Sequence, residues 1–514
     1  MNRKNRLVLS TVLSLILFAV VPLSADVRLP SVIDSNMVVQ QDITIPVWGW
    51  AERGEHITVE FVGGRVGTRA NADGSWMVKL PAIKAGGPYD MTVQGRNKIR
   101  LTNILVGEVW VCSGQSNMEM GIELVSDARS EISSANYPRI RLLKLPKQTA
   151  AGPVHDIDAQ WRVCSPETVS MGNWGGFSAA AYFFGRQLHE KLDVPVGIID
   201  TSWGGTRIEP WTPREGFAQV PKLKDILAKI DDTNAAYKKT ITATVGSLRQ
   251  WIETAEKAFV EGGPIPVPDD APLKQVRHFT QPTLLYNAMV HPLVPFAIRG
   301  AIWYQGESNC GEGMLYYEKM KALIGGWRQV WGQGDFPFYY VQLAPCSYYR
   351  KSPTALPELW EAQTAALSIP NTGMAVTHDT VDDMGDIHPK NKQQVGRRLA
   401  LWALAKTYGY SDIVYSGPLY KSMSIEGNKV RISFDHVASG LTSYDSGRLD
   451  DFEIAAADRK FVKAKAEIAG DAVVVSSDAV AAPVAVRYGW NQTAQPNLIN
   501  KEHLPASPFR TDNW

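Results

Sequence analysis

The sequence predicts an α/β fold: a parallel sheet covered by helices on both faces, with a small β-sandwich before it and a β region after it. Three observations carry this. Period-two alternation fills residues 26–103, apolar strands alternate with helical stretches over 104–415, and β-type alternation returns over 416–514.

The elements follow in chain order. Asn2-Arg3-Lys4-Asn5-Arg6 is a basic start, an apolar run follows to Val21, and Leu23-Ser24-Ala25 is a small-residue cleavage site. Residues 1–25 therefore read as an export signal, with the mature chain beginning at Asp26 and destined for the periplasm or secretion. The apolar run is short of the ~20 residues a spanning helix needs. No cysteine follows it to carry a lipid anchor, and no later segment has membrane-spanning character.

Within 26–103, Ile43-Ile45-Val47, Ile57-Val59-Phe61, Trp76-Val78-Leu80 and Tyr89-Met91-Val93 alternate, and Gly63-Gly64 and Asp73-Gly74 mark turns between the runs. That is the pattern of an antiparallel sandwich. Strands are then expected at 104–112, 194–200, 298–304, 338–343 and 374–377, and helices at 178–191, 315–331, 359–367 and 392–405. Such alternation gives a parallel sheet that binds ligands at the carboxyl ends of its strands. An insertion at about 214–280 interrupts it. Its polar 223–260 stretch reads as a helical pair, followed by the Pro-rich Gly262–Pro268 loop, as a lid or a passive surface addition. The distal Val430-Ile432-Phe434, Phe452-Ile454, Val473-Val475 and Val484-Val486 runs form the C-terminal β region.

Composition excludes several classes. Lys+Arg 53 against Asp+Glu 52 gives a formal charge of +1, so nothing draws nucleic acid or an anionic membrane surface. Cys112, Cys164, Cys310 and Cys346 are widely spaced and form no CxxC pair, so no structural metal is expected; no cofactor is expected either. Cys112, inside an apolar strand, reads as a small buried hydrophobe. The 16 Trp and 18 Tyr suit carbohydrate stacking, although most belong to the core.

Four strand ends carry polar clusters. They are Ser113-Gly114-Gln115-Ser116-Asn117, Thr201-Ser202-Trp203-Gly204-Gly205-Thr206, Gln305-Gly306-Glu307-Ser308-Asn309, and a loop with Asp379, Asp382, Asp383, Asp386 and His388. Each alone is a turn or helix cap. Together they converge on one crevice and hold what acyl transfer needs. Ser116 is a nucleophile and His388 its base; Gly204 or Gly205 and the Gln305 or Asn309 amides are oxyanion donors.

The ordered blocks "GQSNM", "SWGGT", "WYQGESN" and "DIHP" resemble the SGNH hydrolases, specifically the sialate O-acetylesterase family of carbohydrate acetylesterases. So do the flanking "LLYNAMVHPLVPFAIRGAIWYQGESN", "VAVRYGW" and "LPASPFRTDNW". The resemblance implies a three-layer, flavodoxin-like hydrolase core that removes O-acetyl groups from sugars without a metal. It implies Ser116 as nucleophile, His388 as base, and Gly205 beside the Ser116 N–H in the oxyanion hole. The superfamily's third block reads Gly-x-Asn-Asp, whereas Gly306-Glu307-Ser308-Asn309 has Ser in place of that Asn. Gln305 is the preferred substitute donor, then Asn309. The superfamily's acid stands three residues before the His, where this chain has Gly385. Asp386, two before, is placed ahead of Glu307 as the triad acid.

Arg207 is a candidate for a sialic acid carboxylate, against a salt bridge to Glu209. His378 and His291 read as structural. The expected function is an exported serine esterase acting on O-acetylated carbohydrate, with sialate esters first and acetylated xylan or another plant glycan as the alternative. A non-catalytic glycan-binding protein is the rival of a different class, and Ser116 with His388 argues against it, since a binder needs neither. A peptidase on this architecture ranks below both.

Overall fold

The computed structural model describes residues 26–268, 278–348, 351–445 and 447–514; the expected export signal lies outside these. The N-terminal strands are β1 (Val38–Gln40), β2 (Ile45–Trp50), β3 (His56–Phe61), β4 (Gly64–Arg69), β5 (Ser75–Leu80), β6 (Gly86–Gln94) and β7 (Lys98–Gly114). β2 and β5 form one antiparallel pair; β4, β3, β6 and the first half of β7 form the other antiparallel layer, which β1 joins in parallel.

β7 then continues into the central sheet. Its first residues alternate exposed and buried, and from Ile104 onward every residue is buried. The change from period two to a continuous apolar run is therefore a change of neighbours along one strand. The boundary expected at 103/104 falls inside it. Glu108, buried midway, is held by Arg299 at 2.6 and 3.0 Å and by the Tyr408 hydroxyl at 2.9 Å.

The remaining core strands are β8 (Tyr137–Lys144), β9 (Arg162–Cys164), β10 (Val196–Ser202), β11 (Gly300–Tyr304), β12 (Phe338–Val341) and β13 (Thr372–Ala375). Their order is β13-β12-β11-β7-β10-β8-β9, parallel except for the β8/β9 edge. The chain builds one side of β7 first and then crosses to the other, so β7 is the switch point. A crevice opens at its carboxyl end.

Helices cover both faces. Ala179–Leu192, N-capped by the Ser178 hydroxyl, packs against Lys392–Trp402 on one face. Leu315–Trp331 and Ala355–Ala365 cover the other, where Trp327 meets Trp303 edge-on. The C-terminal β region has its own core around Val430, Ile454, Val475 and Tyr488. It is tied to the parallel-sheet core by Arg510 to Glu361 and Ser507 to Gln342.

The insertion differs from expectation. Instead of a helical pair, Lys224–Val260 is one helix of 37 residues, about 55 Å long at 1.5 Å per residue. It contains no proline and a single glycine, Gly246. One such glycine costs only about 1 kcal/mol and does not turn the chain.

Gly114 ends β7 with φ of 146°, and a Cβ there would stand 2.1 Å from the Tyr304 carbonyl oxygen. Gly114→Ala should therefore lower unfolding stability by about 2–3 kcal/mol, read as a lower denaturant midpoint. An unchanged midpoint would refute the close approach.

Candidate active site

Gly114 lets the chain turn sharply at the end of β7. The Gln115 N–H donates to the Tyr304 carbonyl at 3.0 Å, and Ser116 opens the one-turn helix Ser116–Glu119. The first N–H groups of a helix have no intrahelical acceptor, so the Ser116 N–H is free beside its own hydroxyl.

His388 arrives on the loop after β13. Its Nε2 lies 3.0 Å from Ser116 Oγ and its Nδ1 3.0 Å from Asp386 Oδ1. The same carboxylate oxygen accepts the His388 backbone N–H at 2.9 Å. This tight turn is what lets an acid two residues away reach the ring. Burial lowers the His388 pKa below its ordinary 6.5, and the Asp386 hydrogen bond and charge oppose the drop.

Glu307 lines the same cavity, but no hydrogen bond joins it to His388 among the described residues. It accepts from Asn117 Nδ2, whose second N–H goes to the Ile387 carbonyl at 2.8 Å, while Lys392 Nζ donates to Asn117 Oδ1. These three buried side chains pin the His388 loop to the end of β7. Burial pushes the Glu307 carboxyl up and brings the Lys392 ammonium down to about 7.

Gly205 has φ of 74°, and its N–H, lining the cavity, has no partner among the described residues. The Gly204 N–H is engaged, donating to Glu119 Oε2 at 2.6 Å. Neither third-block amide reaches the cavity, which corrects the expectation for both. Gln305 Nε2 donates to Thr206 O at 3.1 Å, Gln115 Oε1 at 3.1 Å and Asn309 Oδ1 at 2.8 Å. Asn309 Nδ2 donates to Glu209 at 3.1 Å and Glu312 at 3.0 Å. Both brace the second-block loop from inside.

The amide that does line the cavity is Gln115. Its Oε1 accepts from the Ser308 N–H at 3.3 Å and from Gln305, and its NH₂ has no partner among the described residues. Sequence reasoning placed Gln115 and Asn117 in the first polar cluster but gave them no role, and it missed Glu119 and Lys392. A signal existed for the first three: they are polar residues within one turn of Ser116, in an otherwise apolar segment. Trp174 was also missed. It stands edge-on to His388 with ring centroids 5.1 Å apart.

Arg207 does not face the cavity. It pairs with Glu209 at 3.2 Å and with Glu312, so the salt-bridge reading holds. His291 Nδ1–H donates to the Val154 carbonyl at 2.8 Å, and the ring packs against Tyr286. His378 is buried against Trp360, neither ring nitrogen is paired among the described residues, and burial lowers its pKa to about 3. All four cysteines are free and buried. Among the described residues no group of three His, Cys, Asp or Glu could hold a metal, and no helix is long and apolar enough to cross a membrane.

Ser116, His388, Gly205, Gln115, Trp174 and Tyr348 thus line one open cavity of about 480 Å³. A family model described as carbohydrate esterase, sialic acid-specific acetylesterase, matches residues 106–250 and 273–405. Sialate O-acetylesterase of Homo sapiens is 30% identical, over 98% of this chain and 96% of that protein. The Rattus norvegicus protein of the same name is 32% identical over 77% of each. The crystal structure of a carbohydrate acetylesterase from Xanthomonas citri superposes with a TM-score of 0.80 at 37% identity, covering 95% of this chain and 100% of that one.

The geometry fixes the sign of one titration. A carboxylate beside an imidazole stabilises its protonated form, so removing it lowers the pKa. The His388 ring should titrate below 6.5 by NMR, and lower still in Asp386→Asn. A midpoint that rises in Asp386→Asn would show that Asp386 does not act on the ring.

Proposed function

This chain belongs to the sialic acid-specific acetylesterase family of carbohydrate esterases, and on that footing we propose that it is an exported serine esterase that removes O-acetyl groups from sialic acids. It is a carboxylic ester hydrolase, and an acetylated carbohydrate is its class of substrate. The observation that supports the mechanism is the unbroken path from Ser116 Oγ through the His388 ring to Asp386, 3.0 Å at each step.

In this reading Ser116 Oγ attacks the acetyl carbonyl as His388 Nε2 takes its proton. The Asp386 carboxylate holds the ring by Nδ1–H and stabilises the imidazolium. The Ser116 N–H, the Gly205 N–H and the Gln115 amide receive the oxyanion, each such donor being worth about 3–4 kcal/mol at the transition state. His388 returns the proton to the departing sugar oxygen, leaving an acetyl-serine. Water, deprotonated by the same nitrogen, then releases acetate and frees Ser116.

One observation favours the second reading, a neutral acetylated plant glycan such as xylan. Arg207 is engaged by Glu209 and Glu312, and Lys147, which does line the cavity, pairs with Glu119 at 2.5 Å. Neither is a free cation for a sialate carboxylate. Acetate release from O-acetylated sialic acids and from acetylated xylan, measured side by side, decides between them. Greater release from xylan would overturn the sialate assignment.

Ser116→Ala should reduce turnover on the order of a thousandfold or more in a folded protein. Asp386→Asn should cost on the order of ten-thousandfold, the scale of that change in a serine protease triad. Glu307→Gln should cost far less, since it touches Asn117 rather than the ring. If the two acid variants rank the other way, Glu307 is the partner of His388.

Export rests on residues 1–25. Protein recovered from an exporting host should begin at or near Asp26 on amino-terminal sequencing. An intact Met1 would refute it.

A further inference from the structure

Beside the catalytic cavity lies a second one, of about 670 Å³, lined by Asp158, Gln160, Arg162 and Met171 among others. The two share Glu119, Lys147 and Asn173 as lining residues, so they are adjoining parts of one depression. Both volumes fall in the range of small-molecule sites, roughly 300–1,000 Å³. Between them runs the strap Met171-Gly172-Asn173-Trp174-Gly175-Gly176-Phe177.

The strap is held rigidly. The Gly121 N–H donates to the Trp174 carbonyl at 3.1 Å, the Glu123 N–H to Gly175 at 2.9 Å, and Lys144 Nζ to Gly176 at 2.5 Å. Gly121 lies so close beneath that a Cβ there would be 2.1 Å from the Gly175 carbonyl. The strap therefore rests on the segment that follows the nucleophile helix.

It presents a tryptophan in two unfavourable ways at once. Trp174 has φ of 54°, a left-handed conformation that costs a non-glycine residue about 1–3 kcal/mol. Its side chain is also 39% exposed, a degree shared among the tryptophans only by the C-terminal Trp514. Strained residues cluster at active sites and ligand clamps, and the ring here stands beside His388.

Behind the strap the chemistry changes. Asp158, Gln160 and Arg162 are exposed, and their side chains have no hydrogen-bond or ion-pair partner among the described residues. Donors and acceptors next to an apolar ring suit a hydroxylated chain, whose rings offer C–H faces and whose edges offer hydroxyls.

Resting on the esterase reading above, we propose that Trp174 and this second cavity form an oligosaccharide-binding groove. The acetylated sugar ring lies on Trp174, and the neighbouring sugar of the same glycan fills the cavity lined by Asp158, Gln160 and Arg162. The enzyme then reads its substrate as part of a chain, not as a free monosaccharide ester.

The test compares kcat/KM on three esters: 4-nitrophenyl acetate, an acetylated monosaccharide, and an oligosaccharide bearing the same acetylated residue. Wild type should prefer the oligosaccharide to the monosaccharide. Trp174→Ala should lower the ratio of monosaccharide ester to 4-nitrophenyl acetate by about tenfold, chiefly through KM, and Trp174→Phe should restore most of it. A Gln160→Ala/Arg162→Ala double variant should erase the oligosaccharide preference. Equal loss on all three esters in Trp174→Ala would mean that the ring only supports His388, and would overturn the groove. So would a wild type with no oligosaccharide preference. Cleavage of 4-nitrophenyl acetate with no acetylated sugar cleaved would overturn the carbohydrate-substrate reading itself, and the groove with it.

Discussion

The rest of the molecule depends on one strand. β7 begins in the N-terminal sandwich and runs through the middle of the parallel sheet. It ends where the Gly114 backbone touches the Tyr304 carbonyl so closely that no side chain fits. A strand pinned at both ends and paired on both sides cannot slide, because a shift of one residue would turn Arg100 and Thr102 of its alternating first half toward the sandwich core. Ser116 inherits that immobility. Glu108 adds to it, since a carboxylate buried in mid-strand is tolerable only with Arg299 and Tyr408 held in register.

Around that strand end lie two buried polar assemblies. Asn117, Glu307 and Lys392 hold the His388 loop, while Gln305, Asn309, Glu209, Glu312 and Lys319 hold the second-block loop. Buried charges and amides are costly when unpaired, so each assembly has essentially one arrangement of low energy. That makes the crevice preorganised: the groups around Ser116 Oγ need little rearrangement as charge develops. Burial brings Lys392 down to about 7, with the charges of Glu307 and Asp386 opposing.

The fold was legible because its signals are local. Alternation at Ile57-Val59-Phe61 and the continuous run from Ile104 report burial on one face or two, whatever lies opposite. Strand ends rich in Ser, Gly and Asn were legible for the same reason, and so were Ser116 and His388 as chemically suited residues. The long helix over Lys224–Val260 was misread as a pair because its length suggested a turn, although it has no proline and one glycine to make one.

By itself, the sequence determined which segments are strands and helices, which strand ends are polar, and that a serine, a histidine and acids occupy those ends. Only tertiary structure decided which of several equivalent groups faces the crevice. Gln115 and Gln305 carry the same amide, but Tyr316 and Thr206 capture Gln305 from inside and leave the Gln115 NH₂ open. Asp386 and Glu307 are both acids, but a turn of two residues brings one to the ring, while Asn117, 190 positions away in the chain, holds the other. Side-chain direction at a loop is set by partners distant in sequence, and residue type carries no record of them.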